Sequence, residues 1–366
     1  MNVYESMLLE GIKDGAFPGA GYGVFKDGKL IQGVAGSHTY DGDSVPISLE
    51  TVWDLASVSK VIGTTTAAMM LVQSGQLDLD HPVSLVIPEF EQNGKGHITF
   101  RNLMVHDSGL VAFRPYHQTC QTSQEVMSSI YKEKLTYETG SQMVYSDLSM
   151  ILVAEAIERI TKTKLDEYLK VSVFQKLGMN HTGYFRREHQ SFIEKVSRSG
   201  CAPTEEMEDW RKALRENRYG KIGSEAMFGL GPQFVQGEVH DPTATVLDGV
   251  AGHAGLFSTV GDLCLFLVAF LTKSQTIIDS DVFKMFTTRQ ETKSTRALGW
   301  DTKSPTGSSA GVSFGSNSFG HTGYTGTSVW CAPDSHKFSI LLSNRVNPTS
   351  KNTKILAFRP KFNELT

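Results

Sequence analysis

Strand signals stand at both ends of this 366-residue chain and helical ones fill its middle, an order that constrains the fold more than any other feature. Near the start, Gly21 to Phe25 and Leu30 to Val34 flank Lys26-Asp27-Gly28-Lys29, and Asp-Gly between apolar runs is the strongest short-range hairpin signal. Thr51 to Leu55 adds an extended run. After Thr288 the strand pattern returns at Ala297–Trp300, Gly311–Phe314, Thr327–Ala332 and Phe338–Asn344, separated by clusters of Gly, Pro, Asp and Ser. Between them lie helical periodicities at Val61–Ser74, Arg101–His106, Ser146–Ile160 and Thr259–Leu271, while Val3–Ile12 and Lys351–Phe358 form terminal helices, the last broken at Pro360. Arg186–Lys221, dense in charge, reads as a surface excursion, and His181-Thr182-Gly183 as a structural turn. These elements predict an α+β fold: an antiparallel sheet built from both termini, with flanking helices and a mainly helical inserted subdomain. Residues 1–59 and 289–366 would form the sheet part and 60–288 the helical part, with the active site at their interface.

Composition narrows the function. A hydrophobic share of 40% and a charged share of 20% are those of a globular protein with a substantial core. A net charge of −4 offers no basic footprint, so nucleic acid is not an expected partner. No apolar run approaches the ~18 residues that a membrane span needs. The start of the chain lacks a basic and apolar leader pattern, which predicts a cytoplasmic protein, or an exported one from which a leader has been removed. The four cysteines, Cys120, Cys201, Cys264 and Cys331, show no metal-ligand spacing and read as free thiols. His240, Asp241 and His253 are too loosely spaced for a metal site, so hydrogen bonding is their expected role and no cofactor is expected.

The chemistry concentrates at Ser57-Val58-Ser59-Lys60, at the entrance to an almost uncharged helix. Residues three apart on a helical turn share one face, so the Ser57 hydroxyl and the Lys60 amine can meet. A serine hydroxyl becomes a nucleophile only when a neighbouring group takes its proton. Tyr145-Ser146-Asp147, just before an apolar helix, offers a phenol as proton relay. Gly320-His321-Thr322-Gly323-Tyr324-Thr325-Gly326, placed at the start of the penultimate strand, offers backbone that can approach a ligand closely.

In that order and spacing, Ser57-x-x-Lys60, Tyr145-Ser146-Asp147 and His321-Thr322-Gly323 resemble the three motifs of the penicillin-recognising serine hydrolases. The tyrosine version resembles the branch of class C β-lactamases, D-alanyl-D-alanine carboxypeptidases and related carboxylesterases. Leu103-Met104-Val105-His106-Asp107-Ser108-Gly109-Leu110, Phe174–Met179 and Ala254–Leu263 are similar to that branch as well. The resemblance implies a β-lactamase/transpeptidase-like fold and a serine hydrolase that works through an acyl-enzyme on a small-molecule or short-peptide substrate. It implies Ser57 as nucleophile, Lys60 and Tyr145 as the acid-base pair, and the backbone N–H groups of Ser57 and Tyr324 as the oxyanion hole. Asp147, His321, Thr322, Gly323 and Tyr324 would line the substrate site.

Two positions depart from the family pattern. Asp147 stands where an asparagine is usual; a carboxylate cannot donate a hydrogen bond, but it can hold Lys60 in its charged form, which makes Tyr145 the expected base. His321 stands where a lysine is usual. An unperturbed histidine titrates near ~6.5, so a cation facing the substrate's carboxylate would come and go with pH. Weak action on β-lactams, carboxylester hydrolysis on small neutral esters, and an inactive penicillin-binding-like module are the alternatives that these departures leave open.

Overall fold

The computed structural model describes residues 2–186, 197–216, 233–271, 277–290 and 294–366. Its main sheet has six strands in the order β2-β1-β9-β8-β7-β6, with every pair antiparallel. Here β1 is Gly19–Lys26, β2 Lys29–Gly36, β6 Asp301–Thr302, β7 Phe319–Thr322, β8 Ser328–Ala332 and β9 Lys337–Ser343. The first strand thus pairs with the last, Tyr22 opposite Leu341, so the chain's two ends close one sheet. Asp27 and Gly28 both adopt left-handed backbone, φ 52° and 72°, which is the geometry of a tight two-residue hairpin. A second sheet orders β3 (Trp53–Asp54), β5 (Leu256–Ser258) and β4 (Gly183–Tyr184) and links the approach to Ser57 with the middle of the chain.

Each face of the main sheet is covered. Along β1, Ala20, Tyr22 and Val24 point to one side, where the terminal helices Val3–Lys13 and Ile355–Glu364 pack through Tyr4, Leu8, Phe358 and Phe362. Phe17 meets Phe358 edge-on at 5.0 Å, and Tyr4 stacks on Tyr22 at 5.3 Å. The intervening Gly21 and Gly23 face the apolar helix Val260–Leu271, whose Val260 and Cys264 lie against them. Alternation with period two thus assigns large side chains to one face and glycines to the other, and the missing Cβ atoms let the helix sit close.

Several boundaries differ from the sequence reading for definite reasons. Ala297–Trp300 and Gly311–Phe314 are irregular, and the edge strand is the short Asp301–Thr302 instead. Pro360 lies inside the closing helix rather than ending it, which costs one backbone bond on a helix that packing already holds. His181-Thr182-Gly183 leads into a paired strand, and both the His181 N–H and the Thr182 hydroxyl donate to Asp262, in the first turn of Val260–Leu271. The motif Gly320–Gly326 ends β7 and turns toward β8 rather than opening a strand. Much of Arg186–Lys221 lies outside the described residues; within the described part Lys212 and Asp209 are exposed, as a surface segment requires, while Arg211 is buried against Glu238 at 3.2 Å. No helix among the described residues is long and apolar enough to cross a membrane.

A Cβ added at Gly23 would press on the Cys264 sulfur and stand 3.2 Å from Val260. Gly23→Ala should therefore destabilise the fold by about 1–3 kcal/mol in a denaturant titration, with Cys264→Ala recovering part of the loss in the double variant. An unchanged midpoint in the single variant would show that the helix does not depend on this close approach.

Candidate active site

The turn that bears Ser57 is fixed from several sides. Ala56 has a positive φ of 46°, a strained conformation for a residue with a side chain, held because the buried Asp54 carboxylate accepts the Ala56 N–H at 2.8 Å and the His240 N–H at 2.7 Å. From the sheet, Thr325 and Thr327 donate their hydroxyls to the carbonyls of Asp54 and Leu55, each at 2.8 Å. Gly323 sits beneath this turn; a Cβ there would fall 2.5 Å from the Leu55 carbonyl, so only glycine lets the end of β7 reach the Ser57 turn. After Ser57 the helix opens with a wide π turn, Lys60–Thr65, in which the Thr66 hydroxyl donates back to the Val61 carbonyl.

Lys60 is fully buried, and its ammonium is surrounded by three oxygens: Ser57 Oγ at 2.9 Å, the His253 carbonyl at 2.9 Å and Asp147 Oδ1 at 2.8 Å. Burial by itself lowers the pKa of this amine, but the Asp147 carboxylate and Tyr145 together outweigh it and the net shift is upward. Lys60 is accordingly a charged donor to the Ser57 oxygen. Asp147 is delivered by the helix Asp147–Thr161, where Ser146 is the N-cap and accepts the Ser149 N–H. A carboxylate in the first turn also suits the positive end of that helix.

Tyr145 lies between cations. The Lys60 ammonium is 4.9 Å from its ring centroid and the Arg296 guanidinium 4.8 Å, while the His106 ring packs against it at 4.8 Å and the His321 ring at 5.8 Å. Its hydroxyl is buried and free of any hydrogen bond of normal geometry. His106, itself at a positive φ of 63°, accepts the Ser146 N–H on Nδ1 at 3.2 Å and so fixes the backbone beside Tyr145. Burial, then the charges of Arg296 and Lys60, push both His106 and His321 well below the ordinary imidazole range. Its surroundings therefore favour the neutral form of His321, against the cation titrating near neutrality that the sequence led us to expect. Arg296, whose Nη1 lies 3.5 Å from His321 Nε2, supplies a permanent cation in its place.

Ser57, Tyr145, Arg296, His321, Thr322, Gly323 and Tyr324 line one cavity of about 490 Å³. The sequence-predicted residues Ser57, Lys60, Tyr145, Asp147, His321, Thr322, Gly323 and Tyr324 are thus gathered at one place. Arg296 and the roles of His106 and His253 were not foreseen. His106 stood within a recognisable motif, whereas Arg296, between irregular segments, carries no periodic or motif signal. Asp241 and His253 meet at 2.9 Å, and an Asp147 oxygen joins them within 4.8 Å. That donor set fits a metal ion poorly, because the Lys60 ammonium already sits on Asp147 and Asp241 also accepts the Ala244 N–H as a helix cap.

The chain is 31% identical over 359 residues to the N-acetylmuramyl-L-alanine amidase of Bacillus subtilis (strain 168), covering 90% of this chain and 77% of that one. A crystal structure of a class C beta-lactamase superposes with a TM-score of 0.73 at 16% identity, covering 99% and 97% of the two chains. EstCE1, a hydrolase with promiscuous acyltransferase activity, superposes with a TM-score of 0.71 at 18% identity, covering 98% and 97%.

Because His106 and His321 are harder to protonate when folded than when unfolded, the unfolded chain binds more protons below pH ~6.5, and the two sites lose stability as pH falls from there. The slope for each is at most about 1.4 kcal/mol per pH unit. His321→Asn should flatten the fall in unfolding midpoint between pH 7 and 5 relative to wild type; parallel curves would contradict the buried neutral state. The Beta-lactamase family model matches residues 5–359, and the chain belongs to that family of hydrolases.

Proposed function

We propose that the protein is a serine hydrolase that works through an acyl-enzyme on Ser57 and cleaves an amide bond of a cell-wall-type acylamino acid or peptide. The single observation that supports this reading best is the contact of Ser57 Oγ with the buried Lys60 ammonium at 2.9 Å, with the Tyr145 ring 4.9 Å from that ammonium and lining the same cavity as Ser57. Lys60 stabilises the developing alkoxide without giving up its charge. Ser57 Oγ attacks the carbonyl carbon, and Tyr145 relays the serine proton to the leaving nitrogen as the C–N bond breaks. Water then attacks the ester, loses its proton by the same route, and releases the acid with Ser57 restored. The backbone N–H groups of Ser57 and Tyr324, brought together where the Thr325 and Thr327 hydroxyls tie the sheet to the nucleophile turn, are the proposed donors to the oxyanion.

An amide substrate is favoured by the relative named N-acetylmuramyl-L-alanine amidase. In Asp147, a carboxylate replaces the family's usual amide donor, which argues against a β-lactam as the natural substrate. The test has two parts. Intact-mass spectrometry after exposure to a fluorophosphonate should show one adduct on the peptide containing Ser57, absent in Ser57→Ala. Turnover of N-acetylmuramyl-L-alanine, a D-alanyl-D-alanine peptide, nitrocefin and a p-nitrophenyl ester should favour an amide; hydrolysis of the ester alone would overturn the amidase reading.

Tyr145→Phe should retain the fold, because the buried hydroxyl it removes makes no hydrogen bond of normal geometry, and lower kcat by about 100- to 10,000-fold. Near-native turnover in that variant would move the proton relay away from Tyr145.

A further inference from the structure

The cavity beside Ser57 is walled by three guanidinium groups from separate parts of the chain: Arg296, Arg345 and Arg359. None of the three makes an ion pair among the described residues. Arg345 donates to the carbonyls of Tyr324, Ser350 and Asn352 at 2.7, 2.8 and 2.7 Å and lies over the Tyr324 ring at 4.5 Å. Arg359, 5% exposed, donates to the carbonyls of Gly323 and Thr327 at 2.6 and 3.0 Å, and its Nε is buried without a partner. The Arg296 Nε is likewise buried and unpartnered. The carboxylates nearby are engaged elsewhere. Asp301 accepts from the Thr295 hydroxyl and the Thr302 N–H, and Glu205 from His240 and Ser350.

Buried cations that face only carbonyls and rings are incompletely compensated, and the planar fork of a guanidinium matches a carboxylate. The three also divide in space along the His321–Tyr324 segment. Arg296 meets His321 at one end, whereas Arg359 and Arg345 clasp the Gly323 and Tyr324 carbonyls at the other. We propose that the cavity binds acyl substrates bearing two anionic groups, one carboxylate against Arg296 and a second against Arg345 and Arg359. This names the substrate class of the site proposed above and rests on that reading only for the site's identity. It separates the intended substrate from neutral esters and from acyl compounds with a single charge.

The test reads binding to the resting protein, so it does not depend on whether an acyl-enzyme forms. Succinate, glutarate and adipate are each titrated calorimetrically against Ser57→Ala protein beside the corresponding monoamide, which has the same length and one charge fewer. At least one diacid should bind about 10-fold tighter than its monoamide, the effect of one added charged hydrogen bond. Arg359→Gln should weaken the diacid by more than it weakens the monoamide and so remove that advantage, whereas Arg296→Gln should weaken both ligands about equally. Arg345→Lys, which retains a cation but not the fork, provides the same comparison if the glutamine variant fails to fold. Equal affinities for every diacid and monoamide pair, no binding of any of the acids, or an advantage that survives in the Arg359 and Arg345 variants would each overturn the proposal. The Ser57 adduct experiment would stand or fall independently.

Discussion

The buried ammonium of Lys60 is the constraint on which the rest of the site depends. Removing such a charge from water costs several kcal/mol unless its donors are satisfied, and here Ser57 Oγ, the His253 carbonyl and Asp147 Oδ1 surround it. Each of the three partners is supplied by a different element, so the charge can be satisfied only when the nucleophile turn, the segment before β5 and the N-terminus of Asp147–Thr161 are all in place. Satisfying the amine and assembling the reactive group are therefore the same event. Asp147 in particular favours the charged form of Lys60, and in the proposed mechanism this leaves the moving of protons to Tyr145.

The scaffold serves that arrangement by joining the ends of the chain. The pairing of β1 with β9 fixes the sheet, β9 and β8 fix β7, and the end of β7 is pinned to the Ser57 turn through Thr325 and Thr327. Close packing beneath the turn is possible because Gly323 lacks a side chain. The positive φ of Ala56 and of His106 shows where the surrounding structure imposes strain on the two segments that hold Ser57 and Tyr145.

Much of this was legible in the sequence. The Asp27-Gly28 hairpin, the apolar helices and the meeting of Ser57 with Lys60 follow from local turn chemistry and periodicity, whereas the gathering of Tyr145, Asp147 and His321 beside them was implied by the resemblance of three motifs to a known family. The environment of a side chain is not. Nothing within a few residues of His321 reveals that it is buried beside Arg296 and near Lys60, so an ordinary histidine was expected where burial and those charges disfavour the protonated form. Arg296, Arg345 and Arg359 are brought to one cavity by tertiary packing from positions as much as 63 residues apart, and none of them sits in a motif. Pro360 inside a helix is the same lesson at the level of the backbone: packing overrode a local breaker.

The central claim is that Lys60 is a fixed cation rather than the base. It is tested most directly by the 15Nζ resonance of Lys60 in labelled protein, assigned by its absence in Lys60→Arg and followed across pH. The account predicts an ammonium signal that persists through the neutral range, with its titration above the ordinary lysine value of ~10.4. A Lys60 amine that loses its proton near pH 7 to 8 would contradict it and return the role of base to lysine.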